Sequence, residues 1–157
     1  MRFNYNLFTG QMDMINSKGD TLEMQPMREL KLITVADHVF LHAYNTGYLE
    51  ILYQSTISLG VRNLLVSSTS TIAGNSYIRS TNGEASKQNF TSQATYYFID
   101  KDTKLYKATP SSIRKLFDDH QKTVKEYLND NNVDFNKGAD LIRLLTFCTQ
   151  LTTQTQR

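Results

Sequence analysis

His38 and His42 stand four residues apart. On a helix or a strand that spacing puts both imidazoles on one face, where a carboxylate from Asp37 or Glu50 would begin a zinc site. Asp100 and Asp102, joined by Asn82 or Glu84, offer alternate carboxylates along an extended turn, an arrangement suited to calcium. An EF-hand loop needs glycine at its sixth position and glutamate at its twelfth, and Leu105 and Ser111 stand there instead. Cys148 and His120 are the material for a thiol–imidazole nucleophile, which requires an exposed thiol in an electropositive setting. Asp118, Asp119, Glu126, Asp130 and Asp134 are the acids from which a glycoside-hydrolysing pair would be drawn.

Each group also has a plainer reading. The histidines fit the polar side of a strand, and Asp100–Lys104 fits the tip of a hairpin. Cys148 continues a helical stripe of Leu141, Leu144, Leu145 and Leu151, in which cysteine acts as a small apolar residue. The acids alternate with Lys115, Lys122 and Lys125, as on a solvated helix face. No Gly-x-Ser-x-Gly elbow and no glycine-rich phosphate loop occurs. The expectation is a protein that is not an enzyme, with no catalytic residue, cofactor or metal. Aromatic residues are the richer signal: nine Tyr and eight Phe. Tyr44, Tyr48, Tyr53, Tyr96, Tyr97 and Tyr106 fall in or beside expected strands and are marked as an interaction surface, because tyrosine joins a broad apolar face to a polar tip. The alternative is a strand-rich core whose hydroxyls reach solvent.

The elements that must carry these residues are bounded by composition. The chain has 157 residues, enough for one domain with its own core. A formal charge of +2 gives no footprint for nucleic acid, and a single cysteine excludes an internal disulfide framework. No apolar run approaches the roughly 18–20 residues of a membrane span, and the first residues contain no apolar leader core. Residues 1–98 carry seven Lys/Arg against seven Asp/Glu, and residues 99–157 carry ten against eight. A charge-poor front suits strands; a charge-rich rear suits helices.

Phe3, Tyr5 and Leu7, then Met12 and Met14, then Leu22 and Met24 recur at a period of two, and Pro26 halts that run. Alternation resumes at Leu30 and Leu32, at Val39–Tyr44, at Tyr48–Tyr53 and at Ile57–Val61, with Asn45-Thr46-Gly47 as a hairpin turn. Residues 67–95 hold twelve Ser or Thr and few large apolar side chains, and are expected to form a mobile loop; Tyr77 and Ile78 are a short-strand possibility within it. Tyr96–Ile99 and Leu105–Lys107 make a hairpin. Thr109-Pro110 opens a helix that breaks near Asp118, a second helix ends at Asn129–Asn132, and a third begins near Asp134 or Asn136. The expected fold class is α+β: an antiparallel β-meander, as a bent sheet or partial barrel, followed by a small C-terminal helical segment. The expected divisions are a β-rich body over 1–108, a helical tail over 109–151 and a disordered tail over 152–157.

Three stretches carry a resemblance that also touches the Gly47–Leu59 strands: Arg2–Leu7 with Gln11–Met14, the aromatic hairpin Tyr96–Lys107 (YYFIDKDTKLYK), and Ser111–Phe117 through Leu141. Together they resemble small secreted or envelope-associated proteins of Bacteroidetes-type bacteria, a group largely without assigned function. Thr103 stands where that pattern more often has Gly. The resemblance implies an exported precursor, hence an extracytoplasmic, periplasmic or outer-envelope place. It offers no catalytic residue, so the expected role is a non-enzymatic interaction or structural module whose partner is an unknown protein or envelope component. The alternative role is a small-ligand-binding, barrel-like protein.

Overall fold

The computed structural model describes residues 2–24, 32–69 and 88–154. Strands β1 (Arg2–Asn6), β2 (Gln11–Ile15) and β3 (Thr21–Glu23) pair antiparallel as a small sheet in the order β1-β2-β3. A second, six-stranded sheet follows chain order: β4 (Leu32–Val35), β5 (His38–Ala43), β6 (Gly47–Tyr53), β7 (Ser58–Thr69), β8 (Gln88–Ile99) and β9 (Leu105–Lys107). Every adjacent pair is antiparallel. Helices α1 (Pro110–Leu116), α2 (Gln121–Asn131) and α3 (Gly138–Gln154) complete the chain, with a 3-10 turn at Asp118–His120. This is the α+β meander with a helical end that the periodicities imply, except that the first three strands form a sheet of their own.

Pairing register sorts the large sheet into two faces, because residues directly opposite one another share a side. Ile33, Phe40, Glu50, Val61 and Tyr96 lie on one face, as do Leu59, Phe98 and Tyr106. Two layers cover that face. At one end Met12 of the small sheet packs with Ile33, Phe40 and Tyr48. At the other, Leu59 and Phe98 pack under Ile113, Val124, Leu141, Leu144, Leu145 and Cys148 of the helices. Thr109 caps α1, its hydroxyl accepting the Ser112 N–H at 3.1 Å, with Pro110 in the first turn.

The opposite face carries Leu32, Leu41 and Leu49 in one row and Ile51, Gly60 and Tyr97 in the next. Leu41, Leu49 and Ile99 are buried on this side, outside both of the clusters that the covering layers form. The sheet curls onto itself as a half-barrel. Side chains close over Gly60: a Cβ there would stand 2.9 Å from Ile99 Cδ1 and 3.5 Å from Leu49 Cβ. Strands β6 and β8, which flank β7, thus bring their side chains together over a residue that has none.

Two expected boundaries change. Residues 67–69 and 88–95, expected as loop, are strand: β7 and β8 pair continuously from Ser58↔Ile99 to Thr69↔Gln88. Their Ser/Thr-rich composition reflects exposure rather than irregularity, since this part of the ribbon runs past β6 and β9 and packs little apolar surface. The last helix extends to Gln154, so 152–154 are helical rather than part of a disordered tail. The possible strand at Tyr77–Ile78, the stop at Pro26 and the start at Leu30 lie outside the described residues.

Candidate functional site

The curled face holds an open cleft of about 360 Å³. Its floor crosses the sheet: Leu32 from β4, Leu41 from β5, Ile51 from β6 and Ile99 from β8. Two turns at one end of the sheet form its lips, 54–58 between β6 and β7 and 100–103 between β8 and β9.

Both lips are held in shape by their own hydrogen bonds. In the first, Ser55 Oγ donates to the Ile57 carbonyl at 2.8 Å, and Thr149 Oγ1 of α3 reaches Ser55 Oγ at 3.3 Å. In the second, Asp100 Oδ1 accepts the N–H groups of Asp102 at 3.0 Å and Lys104 at 2.9 Å, while Oδ2 accepts the Tyr106 hydroxyl at 3.1 Å. The Lys104 N–H, helped by the Tyr106 hydroxyl, holds the Asp100 carboxyl below its ordinary range. Both carboxylate oxygens of Asp100 are therefore engaged in shaping the turn, and Lys101 is left as an exposed cation on that lip. A cleft with fixed lips and an apolar floor can take up a small apolar body with little ordering cost.

The groups singled out for chemistry are dispersed. His38 and His42 do share a face of β5, but His38 Nδ1 meets Glu50 Oε1 at 2.5 Å in an exposed pair, whereas His42 packs on the Tyr48 ring at 4.8 Å between centroids. Burial pushes the His42 pKa down. Among the described residues no three His, Cys, Asp or Glu side chains gather where a metal ion could be held. Asn82 and Glu84 lie outside the described residues. Cys148 is buried in the helical core, and desolvation pushes its thiol up to about 12. His120 ends the 3-10 turn and is not part of that core. Of the candidate acids, Asp134 accepts the Asn136 N–H at 2.9 Å and Asp118 accepts from the side-chain amide of Gln121. These acids shape turns and helix surfaces.

No family model, no curated protein and no solved structure matches this chain. Its function is therefore read from its geometry.

The six tyrosines do not form one exposed surface. Tyr44 is 88% exposed, in the turn after β5. Tyr48 is 1% exposed beneath the small sheet. Tyr53, Tyr96 and Tyr106 pack against the helical core, and Tyr97 sits on the opposite face, across from Gly60. The physical reason is that period-two alternation places these rings on a side without saying what covers it. Sequence reasoning did not single out Leu32, Leu41, Ile51 and Ile99 as a site. The available signal was β5, which is apolar in both directions (Val39 and Leu41 one way, Phe40 the other), and a strand apolar on both faces has both faces covered.

Proposed function

We propose that the protein is a non-enzymatic, extracytoplasmic binding module that takes a small, largely apolar molecule into the cleft between the 54–58 and 100–103 turns. The observation that carries this reading is the cleft itself. It is floored by Leu32, Leu41, Ile51 and Ile99, has a volume of about 360 Å³ at the low end of ligand sites, and has lips already ordered. Dispersal of His38, His42, His120 and Cys148 supports binding without catalysis. The extracytoplasmic part rests on the resemblance of the Arg2–Met14 and Tyr96–Lys107 stretches to exported proteins; among the described residues no helix is long and apolar enough to cross a membrane.

The test is titration with 1-N-phenylnaphthylamine, which fluoresces on entering an apolar site. Wild-type protein is expected to enhance its emission saturably. Leu32, 55% exposed at the cleft's edge, tolerates a charge without loss of core. Leu32→Glu is therefore expected to weaken binding by about tenfold or more, with an unchanged circular dichroism spectrum. Absence of saturable binding, or equal binding by Leu32→Glu, would remove the reading.

A further inference from the structure

Beyond the cleft, the ribbon made by β7 and β8 has an unusual edge. Its pairs from Asn63↔Ala94 to Thr69↔Gln88 lie past the ends of the strands that flank it. The two sides of the ribbon are treated differently. On the β7 side, the Leu65 N–H donates to the Leu7 carbonyl at 2.7 Å, so the small sheet meets that edge. On the β8 side, among the described residues, the Ala108 N–H donates to the Tyr96 carbonyl at 2.9 Å. Outward-facing backbone groups alternate along an antiparallel strand, so those of Ala94, Ser92 and Phe90 point the same way as the Tyr96 carbonyl, away from β7. No described residue pairs with them, and residues 90–94 are all exposed.

Natural edges are guarded by charges, proline, bulges or shortness. This one has none of these. Strand β8 runs from Gln88 to Ile99 without a charged residue or a proline, and its register with β7 is continuous. Beside it lies an exposed aromatic pair, Phe8 (63% exposed) and Phe90 (52%), in edge-on contact with centroids 5.6 Å apart.

We propose that β8 pairs edge to edge with β8 of a second copy of this chain, antiparallel about a two-fold axis at Ser92. Three observations select a second copy. An edge without charge can face itself with no like-charge repulsion, whereas a charged segment of another protein would find no complement there. Pairing Ser92 with Ser92 sets Phe90 opposite the partner's Ala94, a large side chain over a small one, on the face where Phe8 already packs. The Ala108 bond occupies the outer carbonyl of Tyr96, which stops the ladder at Ala94 and fixes the register. A two-fold contact uses up the edge on both copies, so the assembly closes at two.

Sedimentation velocity over a concentration series of the full chain tests this. The expected result is a shift from the 18.0 kDa monomer to twice that mass and no further. The Ser92 N–H points outward, so Ser92→Pro removes a donor from the proposed contact while sparing the β7–β8 ladder; it is expected to abolish the dimer with the circular dichroism unchanged. Ala94→Lys, which sets a lysine against the partner's ring position, is expected to do the same and decides the matter if Ser92→Pro does not fold. A wild-type chain that stays monomeric throughout, species that grow beyond two copies, or folded variants that dimerise like wild type would each overturn the proposal.

Discussion

The Cys148 thiol is held back from ionising by its surroundings rather than by a partner. It lies buried among Leu141, Leu144 and Leu145, and desolvation pushes its pKa from 9.0 up to about 12. At pH 8 only on the order of one thiol in ten thousand would be thiolate in the folded chain, so iodoacetamide is expected to modify native protein far more slowly than urea-unfolded protein. Comparable rates would contradict the burial. The raised value also fixes a pH dependence. The unfolded chain gives up this proton first, so the thiol's contribution to stability is complete below about pH 9 and is lost as the pH climbs toward about 12. Burial raises the Tyr5 and Tyr48 hydroxyls in the same direction. The urea midpoint is therefore expected to fall between about pH 9 and pH 11, and to fall less steeply in Cys148→Ala. At this scale the sequence was readable where a period named a neighbour, as the four-residue stripe did for Cys148. It was not readable for Tyr48 or Tyr96, whose period gives a side and not the layer above it.

A single turn carries the clearest conflict between local and global preference. The tip between β8 and β9 is built by Asp100, whose carboxylate gathers two N–H groups and the Tyr106 hydroxyl, and this forces Thr103 to φ +62°. A β-branched residue is poorly suited to the left-handed region, where Cβ crowds the backbone. Glycine is the residue that this backbone angle favours. Thr103→Gly is expected to stabilise the protein by about 1 kcal/mol, after deducting the entropy glycine gains in the unfolded chain. A thermal melt would register this as a rise of a few degrees, and a lower midpoint would mean the tip does not need the left-handed angle. Other elements were legible in proportion to how much apolar surface they bury. The β5–β6 hairpin and the stripe of α3 bury much, and their patterns stood out. The outer halves of β7 and β8 bury little, so Ser67, Ser68, Thr91 and Ser92 read as loop. Hydrophobic periodicity detects burial, and a ribbon can be strand without it.

Across the whole molecule, one sheet face is shared by two covering layers of unequal strength. The helices bury a large cluster around Phe98 and Leu145, whereas the small sheet buries Met12 over Ile33, Phe40 and Tyr48. That division was not legible from the sequence, because β1–β3 alternate just as β4–β6 do and nothing local says where one sheet stops. Besides that apolar cluster, long-range polar contacts join the small sheet to the body. Where β6 and β7 part, the Tyr5 hydroxyl donates to the Asn63 carbonyl at 3.1 Å, with the Tyr48 carbonyl 3.4 Å away. Beside it the Tyr48 N–H donates to the Gly10 carbonyl at 3.2 Å, and a Cβ on Gly47, at φ +84°, would come 2.8 Å from that same oxygen. Tyr5→Phe keeps the ring stacked on Phe40 but takes the donor from the Asn63 carbonyl, which is expected to cost about 1–2 kcal/mol. A loss confined to one layer should show in native-state hydrogen exchange as faster exchange at Tyr48 and Leu65, whose N–H groups bond to the Leu7–Gly10 turn, while Leu144 and Leu145 in α3 keep their protection. Uniform acceleration would mean that small sheet and helices open as one unit, and no change would mean that the Tyr5 hydroxyl does not hold the two sheets together.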